Sequence, residues 1–355
     1  MSAVKNVNDI IFPALVGMDA LDIDEADSVM ITLDGMYNKS NLGANAILSV
    51  SIAIARAGAQ SLGIPLYRHL GGILKKRLPI PMMNILNGGA HAANNIDIQE
   101  LMIIPVGAQS FSDAVRMCSE VYHTLKNILV AERLGATVGD EGGFAPMLES
   151  DEQAIKIILR AIEESGYKLE HHFMLGIDAA ASEWWTDGGY VMPKRSAKYT
   201  SDELIDYFSS LCDKYPILSL EDAVGEEDVR GWHRLTDRLG KNKILVGDDL
   251  FVTDHRRVEE GIEADIANAV LVKPNQVGTV TEAADAVHAA RSAGYKTVMS
   301  HRSADTEDTF IADLAVALSC DFIKTGAPAR AERTSKYNRL MKIESELFAP
   351  IYASF

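Results

Sequence analysis

The amino-acid sequence predicts an α/β protein whose larger part is a TIM-like (β/α)8 barrel, and two observations support this prediction. Six short apolar runs each lead into a polar side chain, at Asp178, Glu221, Asp248, Lys273, His301 and Lys324. From Glu221 onward these positions recur at intervals of roughly 25 residues, about the length of one βα unit. The loops that follow the strands of such a barrel meet at one face and carry the chemistry. The pattern therefore predicts a polar mouth with an acidic half and a basic half.

The remaining elements are predicted in chain order from periodicity and from glycine and proline positions. Residues 1–75 are predicted to be helical with no strand, and Gly71, Gly72, Pro79 and Pro81 mark a boundary after them. Strands are expected over 80–86 and 96–106, and helices over 112–133 and 151–164. From Phe173 strands and helices alternate, ending in a helix over 330–347. The predicted domains are a helical N-terminal domain, 1–76, and the barrel, 77–355.

Composition limits the classes of partner and the compartment. The formal net charge is −16 at pH 7 over 355 residues, which argues against nucleic acid or an anionic membrane as partner. An anionic substrate would need local cations. The three cysteines are widely spaced and form neither a disulfide framework nor a zinc pattern. With no signal-peptide pattern and no apolar stretch long enough to span a membrane, the sequence predicts a cytoplasmic protein.

Three carboxylates end consecutive predicted strands at Asp178, Glu221 and Asp248. A single aspartate at a strand end is more often a helix cap or a turn residue. Three that converge from separate buried strands supply the hard oxygen ligands that Mg²⁺ prefers. The sequence therefore predicts a magnesium site at the barrel mouth.

Basic residues end the later strands. Lys273 and Lys324 each follow an apolar run, so we expect them at the mouth rather than on the outer surface, where a lone lysine usually lies. A desolvated lysine among cations can act as a base because its pKa falls. Arg302 and Ser303 follow His301 and precede a helix predicted near Thr306, a combination that favours anion binding over a simple helix cap.

Three further polar residues are ambiguous by themselves. Glu141 lies in the glycine-rich string VGDEGGFAP, Glu100 in DIQE, and His91 in GGAHAANN. Alone, each would be read as a solvated loop residue, a cap or a structural histidine.

Together these strings resemble the enolase family, the phosphopyruvate hydratases of glycolysis. The matching strings run in order through nearly the whole chain: NKSNLGANAIL, PMMNILNGG, VGDEGGFAP, SLED, VGDDLFVT, VKPNQVGT, SHRSADTEDT and IKTGAPAR. The resemblance implies a ββαα(βα)6 barrel and the reversible dehydration of 2-phosphoglycerate to phosphoenolpyruvate. By this resemblance, Asp178, Glu221 and Asp248 are similar to the Mg²⁺ ligands and Lys273 to the base.

The resemblance implies roles for the remaining residues as well. Glu141 is similar to the acid that assists loss of the C3 hydroxyl, with Glu100 beside it, and Lys324 to the residue that neutralises the substrate carboxylate. Arg302 and Ser303 are similar to the residues of the family's phosphate site, and His91 and His301 match active-site histidines. Enolase-superfamily sites combine a Lys or His base with one or two Mg²⁺ ions.

The chain also departs from the family pattern. Enolases begin with a β-rich segment whose serine loop contacts a second Mg²⁺ and closes over the substrate. The resemblance implies that this sequence begins at the helical half of that capping domain. We therefore expect impaired lid closure, a weakened homodimer, and an exposed apolar patch on helices carrying Ile47, Val50, Ile54 and Leu62. Smaller departures are Ala90, Pro274 and Ala304–Asp305.

Three alternatives stay open from the sequence. The first is another lyase of the wider superfamily that shares the barrel and the metal, against which the SHRS string and the Glu141–Lys273 pair argue. The second is a catalytically impaired, enolase-like binding or scaffold protein. The third is one piece of a split or truncated enolase.

Overall fold

The first layer of the molecule is helical. The computed structural model describes residues 2–73, 76–186 and 188–353, and no strand lies within 2–73. Gly35 and Gly63 end two of the helices with φ values of 71° and 64°, a left-handed conformation that glycine adopts without steric cost. The elements of this layer are α1 (Ser2–Asn6), a π-helical turn (Val7–Ile11), α2 (Phe12–Leu15), α3 (Ile23–Asp34), α4 (Ala44–Leu62) and α5 (Leu66–Gly71).

Eight strands form a closed barrel in the order β10-β11-β12-β2-β3-β4-β8-β9. β3 runs antiparallel to β2 and β4, and the other neighbouring strands are parallel. The strands of the chain are β1 (Arg77–Leu78), β2 (Ile80–Asn87), β3 (Glu100–Ile104), β4 (Met174–Asp178), β5 (Trp185–Thr186), β6 (Gly189–Met192), β7 (Ala197–Tyr199), β8 (Ile217–Glu221), β9 (Ile244–Gly247), β10 (Ala269–Val272), β11 (Lys296–Ser300), β12 (Phe322–Lys324) and β13 (Ile351–Tyr352).

Helices follow the strands and cover the barrel. Two helices lie between β3 and β4, and at least one follows each later barrel strand, which confirms the ββαα(βα)6 prediction. The helices are α6 (Phe111–Ala131), α7 (Asp151–Glu164), α8 (Ser201–Lys214), α9 (Val229–Leu239), α10 (His255–Glu263), α11 (Pro274–Val277), α12 (Val280–Ser292), α13 (Phe310–Ala317) and α14 (Ala331–Glu346).

The barrel strands are apolar on both faces because one face fills the barrel and the other packs against helices. Met82 and Met102 belong to a buried cluster drawn from β2, β3, β9, β10, β11 and β12 that fills the interior. The adjacent residues Met83 and Ile103 belong instead to the larger cluster shared with the helices. This two-sided burial explains why the strands read as continuous apolar runs rather than as alternating patterns.

Strand register aligns the polar ends of the strands. Glu100 pairs with Asp178 across β3 and β4, and Asp178 pairs with Glu221 across β4 and β8. Because β3 is antiparallel to its neighbours, its first residue lies at the same end as the last residues of β4 and β8. Three carboxylates therefore lie side by side along the rim.

Buried polar contacts hold the helical layer against the barrel. Asp27 of α3 accepts hydrogen bonds from the backbone N–H (3.2 Å) and the hydroxyl (2.9 Å) of Thr281 in α12. Ser51 of α4 accepts one from the N–H of Val280 at 3.0 Å, and Lys39 forms a 2.6 Å ion pair with Glu282. All three contacts converge on the first turn of α12, which fixes the layer at that point.

Several details differ from the sequence-based expectations. The antiparallel sheet β5-β6-β7 and the β1–β13 pair were not predicted, because strands of two to four residues carry too few apolar positions to show a period. The strand expected over 96–106 is limited to Glu100–Ile104. Ile47 is fully buried, and the exposed apolar side chains of the first layer include Val4, Phe12 and Val16, which are 61–64% exposed. In the part of the chain that the structure describes, no helix is both long and apolar enough to cross a membrane.

Candidate active site at the barrel mouth

Lys324 lies at the centre of the mouth and reaches three carboxylates. Its Nζ is 2.9 Å from Oδ2 of Asp178, 2.9 Å and 3.0 Å from the two carboxylate oxygens of Glu221, and 3.1 Å from Oε2 of Glu100. Strand β12 stands across the barrel from β8, so this side chain spans the mouth. Burial opposes the charge of Lys324, but Asp178, Glu100 and Glu221 outweigh that effect and raise its pKa well above the ordinary value.

One lysine does not neutralise this group of carboxylates. Burial, reinforced by the neighbouring charge of Asp178, raises the pKa of Glu221 well above its usual range even though Lys324 lowers it. Glu100 behaves in the same way, through burial and the charge of Glu141. Glu221 and Glu100 therefore both hold a proton more readily than an ordinary carboxyl does.

Lys273 forms a close ion pair with Asp248, the carboxylate on the neighbouring strand end. The backbone N–H of Lys273 is fixed by the hydroxyl of Thr253 at 2.8 Å. The expected direction of the pKa shift is reversed in this structure. Burial lowers the pKa of Lys273, but the charge of Asp248 outweighs burial and raises it. Lys273 is therefore a cation while it contacts Asp248.

Asp222 supports the loop that carries Asp248. Its Oδ1 accepts the N–H of Asp248 at 3.0 Å and its Oδ2 accepts the N–H of Asp249 at 2.9 Å. Among the described residues, Asp222, Asp248 and Asp249 form one of two groups whose potential metal-ligand atoms all lie within 4.8 Å of one another. Asp178 and Glu221 belong to neither group, and oxygens of both contact Lys324.

The second such group consists of His91, Glu100 and Glu141. Nδ1 of His91 is 3.6 Å from Oε1 of Glu100 and 4.0 Å from Oε1 of Glu141. Asn84 of β2 donates to Oε2 of Glu141 at 3.0 Å, and the Ser303 hydroxyl donates to Oε1 at 3.3 Å. Both glutamates thus lie close to the same ring nitrogen of His91.

The environments of these two glutamates push their pKa values apart. The pKa of Glu100 is raised, as described above. Burial also favours the protonated form of Glu141, but His301, Lys324 and His91 outweigh it and lower the pKa of Glu141 well below its ordinary value. When the pKa values of two neighbouring carboxyls are shifted in opposite directions, one group is protonated while the other is ionised. In this structure Glu100 holds a proton more readily than Glu141.

The glycines beside Glu141 explain the conformation of its loop. Gly142 has a φ of 83°, and a Cβ on Gly143 would lie 2.2 Å from Oδ1 of Asn87. The loop can therefore approach β2 only with glycine at this position. The sequence showed the two glycines but not the strand against which they pack.

Residues 301–303 lie beside the glutamates, but the predicted helix N-terminus does not. His301 is buried with Nε2 3.4 Å from Oε1 of Glu141, and Oγ of Ser303 is 3.1 Å from Nε2 of His91. The Arg302 side chain is exposed and donates to Asn275 at 3.4 Å. The helix expected near Thr306 begins only at Phe310. Asp305 and Asp308 accept backbone N–H groups within the intervening segment, which stabilises a loop instead.

Three residues of this site were not identified from the sequence. Asn84 holds Glu141, Asp222 holds the Asp248 loop, and Arg333 contacts the 301–303 loop. Asn84 and Asp222 lie within the quoted strings PMMNILNGG and SLED. The available signals were a polar residue within an apolar strand for Asn84 and a second carboxylate directly after a strand for Asp222. Arg333 gave no such signal, because a helical arginine is usually exposed.

The residues at the mouth fit a divalent cation. Asp178, Glu221 and Asp248 are buried and offer only oxygen ligands, the donors that Mg²⁺ prefers. Burial, with the neighbouring charge of Asp178, raises the pKa of Glu221, and a bound cation would favour its ionised form instead. A cation there would take over the carboxylate contacts that Lys324 and Lys273 now make.

Comparison with protein-family models gives two matches. The model described as "Enolase, C-terminal TIM barrel domain" matches residues 75–353, and the model described as "Enolase, N-terminal domain" matches residues 1–70. The two matched stretches follow each other in sequence and together cover most of the chain.

Proposed function

The chain belongs to the enolase family, and from that premise we propose that it is a phosphopyruvate hydratase that converts 2-phosphoglycerate to phosphoenolpyruvate with Mg²⁺. The observation that carries the proposal is that Lys273 and Glu100 stand on opposite walls of the barrel mouth. Lys273 follows β10, and Glu100 begins β3, which stands across the closed barrel from β10. Lys324 ends β12, which lies between these two strands in the barrel order.

The base step is assigned to Lys273. A C–H next to a carboxylate is a very weak acid, because its loss adds charge to an already negative group. Lys273 must leave Asp248 as a free amine before it accepts the proton from C2 of the substrate. Asp178, Glu221 and Asp248 would hold Mg²⁺, which when bound would stabilise the extra charge on the substrate carboxylate.

The acid step is assigned to Glu141 with Glu100 and His91. The electron pair left at C2 forms the C2–C3 double bond, and the C3 hydroxyl departs as water with a proton from this side. The raised pKa of Glu100 supports a proton store beside Glu141. His91 lies between the two carboxyls, and His301 approaches Glu141 from β11. Both histidines restrict where the Glu141 carboxylate can point.

The substrate anions are assigned to the remaining cations. We propose that Lys324 neutralises the substrate carboxylate, and that Arg302 and Ser303 bind the phosphate. The exposed guanidinium of Arg302 supports this role, because its present partner, Asn275, is neutral and the contact is long. A cytoplasmic location, a homodimer and the domain limits 1–76 and 77–355 stay predictions from the sequence.

The proposal is tested by following phosphoenolpyruvate absorbance after 2-phosphoglycerate is mixed with the protein and Mg²⁺. We expect product with Mg²⁺ and none after chelation. Lys273→Ala should reduce the rate by about 10²–10⁴-fold, the usual contribution of a general base. Lys296→Ala is the matched control, because Lys296 begins β11 at the other end of the barrel and its side chain is 45% exposed. No product from the unmutated chain, or equal rates in both variants, would refute the proposal.

A further inference from the structure

Arg333 is a buried cation on α14 that touches two loops of the site. It is 1% exposed, and its Nη1 is 2.6 Å from Nδ1 of His301 and 2.7 Å from the carbonyl oxygen of Arg302. Its Nη2 donates to the carbonyl oxygens of Ser303 (2.5 Å) and Asp140 (3.1 Å). One guanidinium therefore joins the 301–303 loop to the residue immediately before Glu141.

The chemistry of this contact determines where His301 carries its proton. A guanidinium only donates hydrogen bonds and does not lose its proton in proteins. Nδ1 of His301 must therefore accept, since a proton on Nδ1 would face an N–H donor at 2.6 Å. The remaining ring proton of the neutral imidazole then lies on Nε2, the atom 3.4 Å from Oε1 of Glu141.

We propose that Arg333 is a positioning residue that fixes His301 as the neutral tautomer with its proton on Nε2, the nitrogen beside Glu141, while it holds the Ser303 loop against the Asp140–Glu141 loop. Any effect of Arg333 on the acid step rests on the proposed function, whereas the assignment of the His301 tautomer does not. Burial favours neutral His301, and the charge of Arg333 adds to this effect against the opposing charge of Glu141, so the pKa of His301 is lowered.

A second buried cation on α14, Lys336, shows that the contact of Arg333 with His301 is distinct from anchoring of the loop. Lys336, one turn along the same helix, is equally buried and holds the same loop farther on. It contacts Asp305 at 3.2 Å and the carbonyl oxygen of Thr306. It makes no recorded contact with His301 among the described residues. The pair therefore separates loop anchoring, which both cations provide, from tautomer control, which belongs to Arg333.

The test is the ¹⁵N spectrum of the histidine rings in protein labelled at histidine, which distinguishes a protonated from an unprotonated ring nitrogen. His301 is assigned by loss of its signals in His301→Gln. We expect an unprotonated Nδ1 and a protonated Nε2 from neutral to mildly acidic pH. Arg333→Met, which has no donor, should give a mixture of tautomers or a protonated Nδ1. Lys336→Met should keep the unmutated pattern.

The outcomes separate this inference from the proposed function. A protonated Nδ1 in the unmutated protein would overturn it, and so would an unchanged ring spectrum in folded Arg333→Met. If Arg333→Met does not fold, as judged by circular dichroism, the spectrum of the unmutated protein decides alone. The measurement uses no substrate, so absence of phosphoenolpyruvate formation would refute the proposed function and leave the tautomer assignment intact.

Discussion

At the scale of single residues, the mouth is organised by lysines paired with carboxylates. Lys324 forms ion pairs with Asp178 and Glu221, and Lys273 forms one with Asp248. Each pair is mostly buried, so removal of one partner leaves a charge that water does not fully stabilise. The ammonium groups thus hold the carboxylates in place. A divalent cation would compete with the lysines for these carboxylates, and an anionic substrate would compete with the carboxylates for the lysines.

The first prediction concerns the carboxylates as metal ligands. Isothermal titration with Mg²⁺ should show one site, and Asp248→Ala should weaken it by at least about tenfold, the lower end of the loss seen when even the partners of a ligand are removed. Asp237→Ala is the control, because Asp237 is exposed on α9. Equal affinities in Asp248→Ala and the control would show that Asp248 does not bind the ion.

The residues that could be predicted from the sequence share one property. Asp178, Glu221 and Lys324 each end an apolar strand, so the strand itself indicates where they lie. Asp222 and Arg333 could not be assigned a function in this way, because their contacts depend on loop conformation. Arg333 is separated by 193 positions from Asp140, whose carbonyl oxygen it contacts. Sequence periodicity carries no information about such pairs.

At the scale of elements, burial on both faces made the barrel strands predictable, whereas the shorter strands carry too few apolar positions to show a period. A parallel strand covered by helices is a continuous apolar run, and the barrel strands follow that pattern. The start of α13 was predicted several residues too early, because Asp305 and Thr306 resemble a helix cap. In the structure Lys336 binds Asp305 and the Thr306 carbonyl, and this tertiary contact keeps the segment out of the helix.

The second prediction concerns the contact between α3 and α12. Asp27→Ala should lower the free energy of unfolding by about 1–3 kcal/mol, because the N–H and hydroxyl of Thr281 would lose their acceptor at a packed interface. Urea unfolding measures the change. Ser28→Ala, at the exposed neighbouring position on α3, should change it by less than about 0.5 kcal/mol. Equal effects of the two substitutions would mean that Asp27 does not hold the layers together.

At the scale of the whole molecule, closure of the barrel brings together residues that are far apart in sequence. Lys273 and Glu100 belong to opposite walls, and the segment with Glu141 reaches the mouth from between α6 and α7. The helical first layer docks on α12, the second helix after the β10 strand and Lys273. We therefore propose that one wall of the mouth removes a proton and the other delivers one.

The most direct test of that claim is deuterium exchange at C2 of 2-phosphoglycerate, followed by proton NMR in D₂O with Mg²⁺. Exchange requires only the base, whereas formation of phosphoenolpyruvate requires both walls. We expect Glu141→Gln to keep C2 exchange and lose dehydration, and Lys273→Ala to lose both. If Lys273→Ala exchanges the C2 proton as fast as the unmutated chain, the base does not lie on the β10 wall and the account is wrong.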